Sequence, residues 1–262
     1  MATLNNNEMN NVMNANNATT LRPTTKEELR AIIEQELERQ GRDADLNHID
    51  VSGITDMSSL FEDMDVRNIK IDKWDTSNVT NMSNMFFGAE SFNGDPSAWD
   101  VSNVTDMSGM FAWAMAFNRP LSAWNTSKVK TMCDMFHGAV SFNGDPSQWD
   151  TSNVTNMMGM FQAAASFNGD PSAWNTSKVK TMRNMFYGAT SFNRPLSAWD
   201  TSNVIDMSRM FAAAVSFNGD PSTWNTSKVK TMCDMFTGAE SFNGDPSQWW
   251  GAEKMAKAVF KD

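Results

Sequence analysis

The chain has 262 residues, 40% of them hydrophobic and 20% charged, and carries a net charge of −10. A pI near 4.7 argues against a general nucleic-acid binder, which is ordinarily basic, and fits a soluble, self-repelling protein. The two cysteines, Cys133 and Cys233, occupy one repeat position four units apart, a separation of roughly 20 Å that no disulfide spans.

Residues 1–22 are polar and asparagine-rich and read as a flexible leader. They show no secretory signal, and nowhere does an apolar run approach membrane-spanning length. After Pro23 the pattern changes. Thr25 and Glu28 have capping-box spacing, Leu29, Ile32, Ile33 and Leu37 share one helical face, and Gly41 stops the run. An amphipathic helix over Thr25–Gln40 is expected, with residues 23–48 forming an N-terminal cap and linker.

From Ile49 onward one unit repeats. Tryptophans stand at 74, 99, 124, 149, 174, 199, 224 and 249, always 25 residues apart, and Ile49 holds the same place in a degenerate first copy. Residues 49–248 are therefore eight units without insertion, the mark of a stacked array. Counting Trp (or Ile49) as position 0, +3 is serine in every unit and +5 is valine or, in the first, isoleucine. With polar +4 and +6, this alternation predicts a short strand facing inward at +3 and +5.

Position +7 is always Asp, Asn or Thr, which are N-cap residue types. Met82, Met85, Phe86 and Ala89 then follow at i, i+3, i+4 and i+7, predicting a helix of about two turns. Position +19 is asparagine in all eight units, before Gly-Asp-Pro-Ser or Arg-Pro-Leu-Ser turn chemistry. A stacked asparagine column can satisfy backbone groups that the turn would otherwise leave unpaired. The expected fold is an α/β repeat solenoid of eight 25-residue strand–short helix–turn units behind an N-terminal helical cap. Because helices need more room than strands, it should curve with its strands on the concave side. Residues 249–262, with Trp250 and Ala252–Phe260, read as a C-terminal cap.

The unit Trp-Asp-Thr-Ser-Asn-Val-Thr-Asn-Met-x-x-Met-Phe…Phe-Asn-x-x-x-Ser resembles the repeat of BspA-like leucine-rich-repeat surface proteins, a repeat also found in mycoplasma lipoproteins. The resemblance covers residues 49–249. It implies a leucine-rich-repeat-like solenoid acting in surface display, adhesion and host or partner binding, with no enzymatic activity. It also implies a cell-surface or secreted location, although no signal peptide is visible.

The methionines, mostly at +8 and +11, lie beside Phe at helical spacing and are assigned to the core rather than to soft-metal binding. The tryptophan column is assigned to a structural ladder, and Trp113 and Trp250, which break it, to exposed aromatic positions. Cys133 and His137 have a ligand-like spacing but no further ligands, and the Asn-Gly-Asp-Pro turns supply too few carboxylates for calcium. No metal, cofactor or catalytic residue is expected. Threonines at +6 are interrupted by Lys130, Lys180, Ile205 and Lys230, which spoils a regular ice-binding array.

The informative variation lies at +4 and +6. These positions hold Asn-Thr or Asn-Ile in some units and Lys-Lys at 128/130, 178/180 and 228/230. Alternation spaces like charges about 10 Å apart and sets them near acids at +1, which duplication of a two-unit block would also produce. As a functional feature, Lys128, Lys130, Lys178, Lys180, Lys228 and Lys230, with Trp113, form the candidate partner-binding set. They suit a protein or glycan partner, possibly acidic, and not nucleic acid. The expected function is a non-enzymatic binding scaffold using the concave face. A structural protein self-associating through its ends or edges is the alternative.

Overall fold

A computed structural model describes residues 20–245; Trp250 and the expected C-terminal cap lie outside the described residues. Among the described residues one helix is present, α1, over Lys26–Gln40. Thr25 is its N-cap, its hydroxyl accepting the Glu28 N–H, and Gly41 closes it with an N–H donated to Leu37 O. The Thr25 half of the capping box thus acts where its spacing puts it, while the Glu28 carboxylate accepts from the N–H and hydroxyl of Thr24, one residue earlier. Leu29 and Ile33 are fully buried and belong to the same core cluster as the repeat units. Lys26 Nζ reaches Asp56 and Ser58, and Arg30 donates to Ser59 O, so polar groups on the first unit are met by the helix. Of the expected leader only residues 20–22 are described, and there Leu21 pairs with Ile49 while Arg22 meets Asp50.

The repeat units stack in register, residue i beside residue i+25, but they contain neither the expected strand nor the expected helix. The α/β strand–helix architecture is therefore wrong. What remains of a strand is one parallel bridge per neighbouring pair at +7, from Asp56–Asn81 through to Asp206–Thr231. At +2 to +5 the chain makes a three-residue turn, as in Val79 N–H to Thr76 O at 2.9 Å. Inward positions are consequently +2 and +5, and the +3 serines lie half-exposed in most units.

The expected two-turn helix is broken by backbone handedness. In each coil +10 and +14 have positive φ, for example 55° at Asn84, 54° at Asp134 and 60° at Trp113, with Gly88, Gly138, Gly188 and Gly238 at +14 of alternate coils. A left-handed residue turns its peptide out of the helical path. The N–H groups of +8, +10, +12 and +14 then point along the stack and bond +7, +9, +11 and +13 carbonyls of the next coil at 2.6–3.2 Å. Those of +11, +13 and +15 donate back three residues within the coil, as Met85 to Met82 O. The +9 N–H goes to the +7 side chain, as Ser83 to Asn81 Oδ1. Every backbone donor from +8 to +15 of an interior coil is thereby satisfied without a helix. Met82, Met85, Phe86 and Ala89 are all fully buried, because consecutive three-residue turns also bring residues three and four apart to one side.

The interior is built of ladders. From Trp74 to Trp224 the indole Nε1 of each column tryptophan donates to a backbone carbonyl 28 residues earlier at 2.8–3.1 Å, as Trp149 to Leu121 O. Phenylalanines at +12 and +18 of one coil stack with centroids 3.7–4.0 Å apart, and +12 rings follow one another at 5.0–5.7 Å. At +2 buried threonine hydroxyls donate to the next coil's +1 carbonyl, as Thr126 to Asp150 O. From Asn118 onward each +19 N–H donates to the preceding asparagine's Oδ1 at 2.8–3.2 Å. Both sides of the coil are held at backbone hydrogen-bond spacing. The helix-to-strand mismatch on which the expected curvature rested is absent, because no strand–helix unit forms.

Candidate binding face

The six lysines flank the buried Val129, Val179 and Val229 at +5, and all six face outward and are exposed. The bridge segment positions them: the +6 N–H donates to the previous coil's +6 carbonyl at 2.8–2.9 Å along the whole stack. Lys130 therefore sits directly between Thr105 and Thr155, and Lys180 between Thr155 and Ile205.

The two columns differ chemically. Lys128, Lys178 and Lys228 at +4 each donate to the asparagine one coil earlier, Asn103, Asn153 and Asn203, at 2.6–2.7 Å. Those asparagines use their amide N–H on Ser77 O, Ser127 O and Ser177 O, which fixes their orientation. Acids at +1 complete the set. The carboxyls of Asp100, Asp150 and Asp200 are held below the usual range by Ser102, Ser152 and Ser202, first through the hydroxyl and then the backbone N–H. The charges of Lys128, Lys178 and Lys228 act in the same direction. The +4 lysines are thus pinned, with a carboxylate nearby in each case. Lys130, Lys180 and Lys230 at +6 make no side-chain hydrogen bond or ion pair among the described residues. The pinning asparagines and the +1 acids are the part of this face that lysine counting alone does not reveal. Their signal is the opposed alternation of Asp and Asn at +1.

Trp113 is 40% exposed. It lies at +14, where its ring meets His137 at a centroid distance of 5.0 Å and covers Gly138. No hydrogen bond, ion pair or ring contact joins it to a lysine among the described residues, so the structure does not assemble the seven candidates into one site. Cys133 is half-buried with its thiol pushed up to about 12, by burial first and then by its hydrogen bond to Asp134. Burial lowers the basicity of His137 against the opposing charge of Asp134, whose Oδ1 lies 3.8 Å from Nδ1. Among the described residues no group of three or more His, Cys, Asp or Glu side chains could hold a metal ion. A shallow groove of about 640 Å³ runs beside +16 and +17, lined in part by Glu90, Met115 and Val140.

No curated protein and no solved structure matches the chain. A family profile described as "Mycoplasma protein of unknown function, DUF285" matches residues 32–145, 96–193 and 170–262, three overlapping windows that take in the second half of α1 and the whole coil stack. With that coverage, the chain belongs to the DUF285 family of Mycoplasma proteins.

Proposed function

We propose that this protein is a non-enzymatic binding scaffold displayed at the cell surface, engaging its partner through the +4/+6 lysine face. The observation that carries the reading is the division of labour between columns. The Trp, Phe and Met columns, the +2 threonines and the +19 asparagines are consumed by contacts inside the stack, whereas Lys130, Lys180 and Lys230 present charge outward with no side-chain partner among the described residues. A rigid backbone ladder beneath them preorganises that row, which lowers the cost of binding. Membership of a Mycoplasma repeat family and the resemblance of the unit to BspA-like surface proteins support surface display and adhesion. No helix among the described residues is long and apolar enough to cross a membrane.

The test replaces all six lysines by the residues their columns carry in other coils, Asn at +4 and Thr at +6. Wild type and variant are compared for retention on immobilised host-cell surface proteins and glycans. Loss of retention in the folded variant is expected. Equal retention on every ligand overturns the assignment of this face. Surface proteolysis of intact cells tests the location, and a protein shielded from protease until lysis overturns surface display.

A further inference from the structure

We infer that the lysine face takes a linear acidic polysaccharide in which about one sugar in two is negatively charged, read by Lys130, Lys180 and Lys230. This rests on the +4/+6 face being the binding surface. Three observations carry it. The free ammonium groups recur every second coil, so along the bridge segment they are about 10 Å apart, two strand-like spacings. Two linked pyranoses have a comparable length, so a chain of alternating acidic and neutral sugars laid along the stack meets one lysine per disaccharide.

The ground between the lysines is polar and shallow. Thr105 and Thr155 donate their hydroxyls to backbone carbonyls 3.2 Å away and keep lone pairs for sugar hydroxyls. Asn103, Asn153 and Asn203 lie in the adjoining column. Protein partners are ordinarily anchored by buried aromatic or arginine side chains. Here Ile205 is the one exposed large hydrophobic residue in these two columns among the described residues.

The charge balance selects against dense polyanions. The chain carries −10 overall, and Asp100, Asp150 and Asp200 stand beside the +4 lysines. A nucleic-acid strand brings a charge every 3.4 Å or so and would set several against those acids for each one it pairs with a free lysine. A sparsely charged polymer matches lysine for carboxylate.

The experiment measures binding of the full chain to hyaluronan oligosaccharides, which carry one carboxylate per disaccharide, with neutral dextran, heparin and poly-glutamate as comparisons. Binding to hyaluronan that weakens with salt is expected. The triple variant K130T/K180T/K230T should weaken it about tenfold or more, and K128N/K178N/K228N by less than about threefold, since those lysines are already engaged. Each replacement is a residue the same column carries elsewhere, and circular dichroism checks that the fold is kept. Equal losses in the two triple variants, or dextran binding as well as hyaluronan, overturn the inference. Stronger binding of poly-glutamate than of hyaluronan, lost in the lysine variants, overturns the polysaccharide class, and stronger binding of heparin overturns the sparse charge spacing; either leaves the face itself standing. Undiminished binding by the six-lysine variant overturns both.

Discussion

Gly138 has no room for a side chain because Trp113 lies over it: a Cβ there would stand 2.6 Å from the indole Cε3. The pair belongs to the +14 column, where alternate coils carry Gly88, Gly138, Gly188 and Gly238 beneath Asp63, Trp113, Ala163 and Ala213. The +10 column does the same in the opposite phase, Asn84 leaning over Gly109 and Asp134 over Gly159. A large residue alternates with glycine from Asp63 to Gly138 at +14 and from Asn84 to Gly159 at +10, and Ala163, Ala213 and Arg209 break that size alternation further along the stack.

The pair can be tested against Gly188, which is left-handed too but would meet only backbone atoms of Ala163, at 3.7 Å and beyond. Gly188→Ala should cost about 1 kcal/mol, the left-handed penalty alone. Gly138→Ala should cost about 1–2 kcal/mol more, because the indole must move. Chemical denaturation measures both. Combining Gly138→Ala with Trp113→Ala should bring its cost down to that of Gly188→Ala; additive losses would show that the indole is not the obstacle.

The tryptophan ladder makes a second prediction. Trp149 is buried and donates to Leu121 O at 2.9 Å. Trp149→Phe keeps most of the apolar bulk and removes the N–H, leaving a buried carbonyl short of a donor. A loss of about 1–3 kcal/mol is expected from the denaturation midpoint. A loss below about 0.5 kcal/mol would mean that packing alone sets the column.

The asparagine column predicts a ranking. Asn143 Oδ1 accepts the Asn168 N–H at 2.8 Å, and Asp43 fills the same role for Asn68 at 3.1 Å. An acceptor oxygen is therefore what the position requires. Asn143→Ala should cost about 0.5–1.5 kcal/mol and Asn143→Asp clearly less, read by thermal or urea unfolding. Equal costs would assign the column to amide-specific stacking instead.

The 25-residue period, α1 and the asparagine column were legible because each is written in residue identity. The Thr25–Glu28 cap and the +19 asparagines do in the structure what their chemistry dictates. The two-turn helix was not, because turns that close over three residues bury the same i, i+3, i+4 and i+7 positions as a helix does. What distinguishes them is the left-handed pair at +10 and +14. That signal is visible as glycine in some coils but disguised at Ser59, Arg209, Trp113 and Ala213, where φ is 55–60° without glycine. The lysine columns were legible as charge. Their division into pinned and free was not, because it depends on Asn103, Asn153 and Asn203 lying one coil away, 25 residues off in sequence.

The cysteines should react unequally although they share one repeat position. Cys133 is half-buried with its thiol pushed up to about 12, whereas Cys233 is exposed. Thiolate is the reactive form, so at mild alkaline pH iodoacetamide should label Cys233 well before Cys133. Peptide mass spectrometry of a labelling time course checks this. Equal rates would mean that the Cys133 coil opens faster than the reagent reacts.

Acid should unfold the protein through its turn carboxylates, and the sign follows from the direction of their shifts. Asp100, Asp150, Asp200 and Asp220 lie below the usual carboxylate range in the fold because serine N–H and hydroxyl groups bond the charged form. The unfolded chain therefore takes up protons first as pH falls, and their contribution is complete above about pH 4 and lost below it. Stability should be level through neutrality and drop in the acid limb. Asn125, Asn175 and Asn225 hold the equivalent position in other coils and catch the same serine N–H, as Asn175 does for Ser177 at 3.1 Å. The triple variant D100N/D150N/D200N should therefore fold and lose stability less steeply below pH 4. An acid limb as steep as that of the wild type would place the titrating groups elsewhere, with Asp43 next in line, since Arg67 holds its carboxyl far below the usual range.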